Sequence, residues 1–241
     1  MQLRLLDVQA LDIRLDQLAH RRRTLPESAE AERLLVERKE LESEVVAADT
    51  LVADLGREQR KADADVEQVR TRRARDEQRL QAGQVASPKE LESLQHEIES
   101  LTKRQSDLED VELEIMERLE EATARLSDRQ QRQADLDSRV ADAEQARDAA
   151  YAQIDSEAER ARAERADTAG GISSELLALY EKRRAQFGGV GAAVLRSRRC
   201  EGCRMELDAS YLAKIAKAPP EEVLRCEECG RILVRSLNSG V

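Results

Sequence analysis

Apolar side chains recur at alternating steps of three and four residues along most of the chain, first from Leu34 to Leu80 and again from Leu91 to Ile154. Steps that alternate in this way place the apolar side chains along one seam of an α-helix, which is the pattern of a coiled coil. The chain is therefore predicted to form two long helices, each of which buries its seam against a partner helix.

The two seams mirror each other about the segment 81–90, which separates them. Leu80 and Leu91 lie at equal distances from the middle of this segment, and so do Leu55 and Ile115. Facing positions in an antiparallel hairpin have this symmetry, so the partner of each helix is predicted to be the other helix of the same chain.

A dense helix-start signal marks the turn of the predicted hairpin. Ser87 and Glu90 together form a capping box, and Pro88 suits the first position of a helix. We predict that the chain reverses near residues 83–88 and that the antiparallel coiled-coil hairpin spans residues 1–168.

The first helix keeps the same stepping, but its seam slips by about one residue near Pro26, where we expect a kink or a short break. Two arrangements are open: residues 3–82 form one kinked arm, or the first helix folds back separately. The return arm, from Pro88 to about Asp167, is as long as residues 3–82 together, which favours the kinked arm. Whether the first helix is continuous across Pro26 stays open.

Two glycine-containing stretches divide the remainder of the chain. Gly170 and Gly171 interrupt the return arm, and the run Gly188–Gly191 follows a short apolar stripe. We predict a connecting helix over residues 172–187 and a small C-terminal domain over residues 188–241.

All four cysteines of the chain lie in this last segment, in two C-x2-C pairs separated by 22 residues: Cys200, Cys203, Cys226 and Cys229. Each C-x2-C turn directs two thiolates at one centre, and two such turns complete a tetrahedron, which is the arrangement of a structural Zn²⁺ site. The alternatives are a pair of disulfides, which suits a secreted protein, and a redox dithiol, which needs a C-x-x-C beside a βαβ unit. The chain shows neither context, so we predict that the four cysteines bind one structural Zn²⁺.

The segments that flank the cysteines fit a zinc ribbon. We predict a strand over Val190–Arg199, a short helix over Ser210–Ala218, and a hairpin of Glu222–Arg225 with Arg231–Arg235 around the second cysteine pair. The predicted fold class is mainly α, a long antiparallel coiled-coil hairpin plus a small C-terminal β zinc ribbon.

Composition agrees with elongated helices: 37% of the residues are charged and only 2% are aromatic, which excludes one large globular core. No stretch approaches the roughly 20 apolar residues of a membrane span, and the N-terminal segment carries acids within its apolar pattern, unlike a signal peptide. We therefore expect a cytoplasmic protein with no membrane partner. The net charge of −10 is uneven, since residues from Tyr180 onward carry twelve Lys and Arg against eight Asp and Glu.

This local excess of positive charge suggests a nucleic-acid surface on the ribbon. Strand alternation places Arg196 with Arg198 on one face, and Arg231 with Arg235 on one face of another strand. If these faces coincide, they form one arginine patch that binds the phosphates of RNA or DNA. The candidate contact residues are Arg196, Arg198, Arg199, Arg204, Lys214, Lys217, Arg225, Arg231 and Arg235. The alternative is that these side chains only solvate a small domain or pair with the acidic helices.

Several stretches resemble the bacterial C4-type zinc-ribbon family that has an N-terminal coiled-coil hairpin: Ser87–Glu97, Arg104–Glu109, Leu176–Glu181 and Cys226–Val234. The resemblance implies a zinc ribbon that projects from the base of the hairpin, with the four cysteines as metal ligands. It also implies a non-enzymatic role in binding nucleic acid or proteins such as transcription and secretion components. One departure is Glu228, which adds negative charge beside the metal.

We therefore expect a non-enzymatic adaptor whose ribbon binds RNA or DNA and whose acidic coiled coil docks protein partners. The alternative is a protein-only scaffold or a chaperone-like adaptor for transcription or secretion components. The chain has only two histidines and none of the common hydrolase or nucleotide-binding motifs, so no catalytic residue and no small-molecule substrate are expected.

Overall fold

The computed structural model describes residues 2–240. Its helices are α1 (Leu3–Arg23), α2 (Pro26–Gln81), α3 (Pro88–Ala169), α4 (Ser174–Gln186) and α5 (Ala209–Lys217). Its strands are β1 (Ala192–Arg196), β2 (Arg199–Cys200), β3 (Leu224–Arg225) and β4 (Ile232–Val234). The chain divides into two compact units: one contains residues 30–142, and the other contains the residues before and after that segment.

The unit of residues 30–142 is an antiparallel pair formed by most of α2 and the first part of α3. Buried apolar residues follow the two predicted seams: Leu34, Ala48, Leu55, Ala62, Val66 and Val69 on α2, and Leu94, Leu101, Ala122, Leu126, Leu136 and Val140 on α3. Ion pairs connect the flanks of the two helices, for example Arg118 with Glu58 at 3.7 Å and Arg129 with Glu44 at 3.3 Å. The predicted coiled-coil hairpin is confirmed.

The turn of this hairpin carries the predicted cap. The backbone N–H of Glu90 donates to Ser87 Oγ at 3.2 Å. The Glu90 carboxylate in return accepts a hydrogen bond from the backbone N–H of Ala86 at 2.9 Å. The first bond satisfies an N–H group that the start of α3 would otherwise leave unpaired, and the second ties Glu90 to the turn before the helix.

In the other unit, α1 ends at Arg23 and α2 begins at Pro26, so the helix is interrupted across Thr24 and Leu25. Leu18 and Leu25 pack in one apolar cluster with Ile154 and Ala158 of α3. The end of α1 thus packs against the last part of α3.

The ribbon is a four-stranded sheet in the order β2-β1-β4-β3. Its centre is the parallel pair of β1 and β4, in which Ala193 lies opposite Leu233, whereas β2 and β3 pair antiparallel at the edges. Strand alternation gives the central pair two apolar faces. Ile232 and Val234 face a cluster with residues of α1 and α4, while Leu233 faces a cluster that contains α5 and the cysteines.

None of the helices described between residues 2 and 240 is both long and apolar enough to cross a lipid bilayer.

Candidate metal centre and basic surface

Each C-x2-C pair lies on a turn that begins at the end of a short strand. In the first turn, the N–H of Cys200 donates to Met205 O at 3.0 Å, and the N–H of Arg204 donates to Cys200 O at 2.7 Å. In the second turn, the corresponding bonds run from Cys226 to Arg231 O at 2.9 Å and from Gly230 to Cys226 O at 2.8 Å. The two turns therefore share one backbone geometry.

The four thiols converge on one point. Cys200 Sγ lies 3.9 Å from Cys229 Sγ, and Cys203 Sγ lies 3.8 Å from Cys226 Sγ. All four sulfurs lie within 4.8 Å of one another. A tetrahedral Zn²⁺ with Zn–S bonds of about 2.3 Å needs sulfurs about 3.8 Å apart, whereas a disulfide needs about 2.05 Å. The cluster fits one structural Zn²⁺ and confirms the predicted cofactor.

The surroundings of the thiols differ between positions. Burial raises the pKa of the Cys200 and Cys226 thiols. Burial also disfavours the Cys229 thiolate, but hydrogen bonds from the backbone N–H and the side chain of Arg231 outweigh it and lower the pKa of this thiol to about 7. Four neighbouring thiolates repel one another, and a divalent cation supplies the positive charge that holds them together.

The residue after each cysteine pair has a left-handed backbone. Gly230 has φ of 72° and Arg204 has φ of 63°. Glycine adopts this conformation without cost, whereas an L-residue with a side chain is strained there. Arginine thus occupies a position of the first turn that favours glycine.

A buried polar cluster joins α1 to α3 and α4. Asp12 of α1 is 2% exposed; its carboxylate accepts hydrogen bonds from Arg165 Nε at 2.6 Å and from Tyr180 Oη at 2.6 Å. Arg184 of α4 lies 3.5 Å from the same carboxylate. Burial and the hydrogen bond to Asp12 raise the pKa of Tyr180 above its usual value, so the phenol stays a donor.

Gln9, one helical turn before Asp12, binds the loop that leads into the ribbon. Its side-chain oxygen accepts hydrogen bonds from the N–H groups of Gly191 and Ala192, at 2.7 and 3.3 Å, and its amide donates to Gly189 O at 2.8 Å. A Cβ at Gly191 would lie 2.7 Å from Tyr180 O. The loop therefore lies so close to α4 that only glycine fits at position 191.

Sequence reasoning did not identify Gln9 and Asp12. An acid within an apolar helix pattern was the only available signal, and such an acid is usually exposed. The partners of Asp12 are more than 150 positions away in the sequence, as the separation from Arg165 shows, so only the folded chain reveals the cluster.

Three of the predicted nucleic-acid residues lie on the β1–β2 hairpin. Arg196, Arg198 and Arg199 are exposed there, and β1 ends at Arg196 instead of continuing to Arg199 as predicted. The tight turn is made by Ser197 and Arg198, whose φ values are 46° and 68°. Two N–H groups of this turn donate to the carbonyls of Asn238 and Ser239, at 2.8 and 2.9 Å, so the C-terminal segment holds it in place.

The single arginine face expected from the two strands is not formed. In the sheet register, Arg196 shares its face with Ala192 and Val194, whereas Arg231 and Arg235 share theirs with Leu233. The parallel pairing places these two sets on opposite faces of the sheet.

Arg231 and Arg235 also use their guanidinium groups internally. Arg231 donates to Val190 O at 3.0 Å and lies over the ring of Phe187, with 5.1 Å to the ring centroid. Arg235 donates to Ile215 O at 3.0 Å and to Ala218 O at 2.7 Å, which caps the carboxyl end of α5. Both side chains are half-buried.

The remaining candidates lie in two places. Arg204 is exposed directly after the first cysteine pair, near the β1–β2 hairpin. Lys214, Lys217 and Arg225 line a groove of about 570 Å³ between α5 and β3. Tyr211 also lines it, but its hydroxyl donates to Arg225 O.

Comparison with known families gives two matches. Residues 8–188 match the family model of the CT398-like coiled coil hairpin domain, and residues 199–233 match that of the C4-type zinc ribbon domain. An uncharacterized protein of Mycobacterium tuberculosis is 36% identical over 231 residues, covering 96% of this chain and 94% of that protein. One of Mycobacterium leprae is 30% identical over 222 residues, covering 92% and 95%.

Solved structures agree in fold. A Mycobacterium smegmatis protein superposes with a TM-score of 0.83 at 36% identity, covering 98% of this chain and 97% of that one. CT398 from Chlamydia trachomatis superposes with a TM-score of 0.68 at 18% identity, covering 97% and 96%; at this identity the likeness shows the fold alone.

Proposed function

Because this chain belongs to the family of CT398-like coiled coil hairpin proteins and carries a C4-type zinc ribbon, we propose that it is a non-enzymatic cytoplasmic adaptor. Its zinc ribbon binds nucleic acid through phosphate contacts, and its helices dock protein partners. The observation that carries the nucleic-acid part is the basic turn, defined here as Arg196, Arg198, Arg199 and Arg204, four exposed arginines around the first cysteine pair.

The backbone of the basic turn supports a binding role. Ser197, Arg198 and Arg204 all have positive φ, in positions where asparagine or glycine would be less strained. Local strain of this kind is often kept where the side chains serve a function. Among residues 2–240, the one acid that pairs with the basic turn is Glu206, which lies 3.9 Å from Arg199.

The net charge of the ribbon is too small to attract phosphate, so the attraction must come from the clustered arginines of the basic turn. From residue 188 onward the chain has nine Lys and Arg against seven Asp and Glu. Four thiolates and one Zn²⁺ together carry two negative charges, so the metal-loaded ribbon is nearly neutral. Binding through the basic turn would involve few phosphates and would be weak and strongly salt-dependent.

This neutrality favours a second candidate, a protein-only scaffold. Arg231 and Arg235 stabilise the ribbon itself, which removes two of the nine residues expected to contact phosphate. In a protein-only scaffold the basic turn would bind an acidic protein segment.

Titration of a fluorescent single-stranded RNA and a duplex DNA at several salt concentrations separates the two candidates. For phosphate contacts, the logarithm of the association constant should fall linearly with the logarithm of salt, with a slope of roughly −2 to −4. The charge reversal Arg196→Glu with Arg198→Glu should lower the magnitude of the slope by about 1.5.

The matched control reverses Lys103 and Arg104, which are exposed on α3, and should leave the slope unchanged. Equal loss of affinity in both variants, or no salt-dependent binding of either nucleic acid, would favour the protein-only scaffold.

A further inference from the structure

We propose that a groove between α4, the start of α1 and the loop before β3 is the docking site for a basic, apolar segment of a partner protein. This docking groove is defined by its lining residues: Gln2, Ser173, Glu175, Leu176, Leu179, Pro220, Glu221 and Val223. The proposal rests on the protein-docking part of the proposed function and is independent of nucleic-acid binding.

The floor of the groove is apolar and formed by packed elements. Leu176 is 6% exposed and belongs to the cluster beneath the sheet, and Leu179 and Val223 pack at its edge while remaining partly accessible. The groove has a volume of about 490 Å³, within the range of pockets that bind small molecules.

The two sides of the groove are held together by Gln2. Its side-chain amide donates to Glu222 O at 2.8 Å and lies 3.2 Å from Glu221 O. The loop before β3 is thereby tied to the start of α1, and Pro219 and Pro220 restrict its backbone. A site that exists before the partner arrives loses less conformational entropy on binding.

Charge identifies the chemistry of the occupant. Glu175 and Glu221 line the groove and Glu222 follows them, all three exposed. No ion pair to these carboxylates occurs among the described residues. The described lining residues include no lysine or arginine. An apolar segment flanked by lysine or arginine would place its apolar side chains on Leu179 and Val223 and its cations beside the carboxylates.

The test uses a fluorescent synthetic peptide in which leucines recur at helical spacing between lysines, and the same peptide with glutamate in place of lysine. Fluorescence anisotropy with the full chain should show binding of the lysine peptide and no binding of the glutamate peptide. The double variant Glu175→Gln with Glu221→Gln should weaken binding by roughly fivefold.

Two further variants localise the interaction. Leu179→Asp should weaken binding at least about tenfold, provided that its circular dichroism spectrum and zinc content equal those of the unchanged chain. Glu117→Gln with Glu120→Gln, which removes the same charge from exposed positions of α3, should leave affinity unchanged. If Leu179→Asp does not fold, methyl NMR of the unchanged chain replaces it, with peptide-induced shifts expected at Leu176, Leu179 and Val223.

Three results would overturn the proposal. Equal loss in the α3 control variant would show attraction by the acidic helices in general. Equal binding of the glutamate peptide would show that Glu175 and Glu221 do not attract the peptide. Self-association of the unchanged chain in sedimentation, abolished by Leu179→Asp, would assign the groove to a second copy. Nucleic-acid binding is unaffected in each case, so failure of this proposal is distinguishable from failure of the basic turn.

Discussion

At the scale of single residues, Asp12 and Arg204 depart most clearly from what their local sequence favours. Asp12 is a carboxylate within a helix seam, and its cost of burial is offset by Arg165, Arg184 and Tyr180. Arg204 holds a backbone conformation that favours glycine. Each departure predicts a measurable effect.

Asp12→Asn should lower the free energy of unfolding by about 2 kcal/mol, because it removes the buried negative charge to which Arg165, Arg184 and Tyr180 all bind. The two half-buried guanidinium groups then keep only their more exposed partners, Glu181 and Asp16. Urea unfolding measures the loss, and amide hydrogen exchange should accelerate across α1. Asp7→Asn, at an exposed position of the same helix, is the control and should change stability by less than about 0.5 kcal/mol. Equal stability of the two variants would show that the cluster does not hold α1 in place.

Arg204→Gly should raise the free energy of unfolding by about 1 kcal/mol, because glycine relieves the strain of the positive φ. Gly230→Ala should lower it by a similar amount, because Gly230 has φ of 72° and its Cβ would lie 3.3 Å from the ring of Phe187. Thermal unfolding of the zinc-loaded protein measures both. A destabilised Arg204→Gly would mean that the arginine side chain contributes to folding and is not kept for binding alone.

At the scale of elements, the sequence predicted those features that depend on the spacing of nearby residues. The seams of α2 and α3 and the cap at Ser87 follow from short-range spacing, and so do the paired cysteine turns. The parallel register of β1 and β4 is non-local, and the sequence could not show that it separates Arg196 from Arg231. The turn at Ser197 and Arg198 was missed because it lacks the asparagine and glycine that usually mark such a turn.

The sheet of β1 and β4 lies between two apolar clusters, one with the cysteines and one with α1 and α4. Removal of zinc by a chelator should therefore unfold the ribbon and also loosen α1 and α4, because Ile232 and Val234 would leave the second cluster. Hydrogen exchange should increase in both helices, while residues 30–142 keep their protection. Unchanged exchange in α1 and α4 would show that the helices hold together without the ribbon.

The hairpin helices depend on their buried seam. Leu55 is 2% exposed, whereas Val46 on the same helix is 61% exposed. Leu55→Ala should cost about 3 kcal/mol through lost burial and a residual cavity, and Val46→Ala less than about 0.5 kcal/mol. Thermal denaturation followed by circular dichroism compares the two, and similar losses would contradict the assigned seam.

At the scale of the whole molecule, charge is divided along the sequence. Residues before Tyr180 carry 28 Lys and Arg against 42 Asp and Glu, whereas those from Tyr180 onward carry twelve against eight. The amino-acid sequence shows this division directly. The sequence could not show which arginines are free to bind a partner, because the fold uses some guanidinium groups in internal hydrogen bonds.

Both proposed binding surfaces depend on the ribbon being built around its metal: the basic turn flanks the first cysteine pair, and Val223 of the docking groove leads into β3. Native mass spectrometry of the freshly purified chain tests this most directly. The account predicts one zinc ion per chain, lost on Cys203→Ser. A folded ribbon without metal, or a mass that shows two disulfides among the four cysteines, would contradict it.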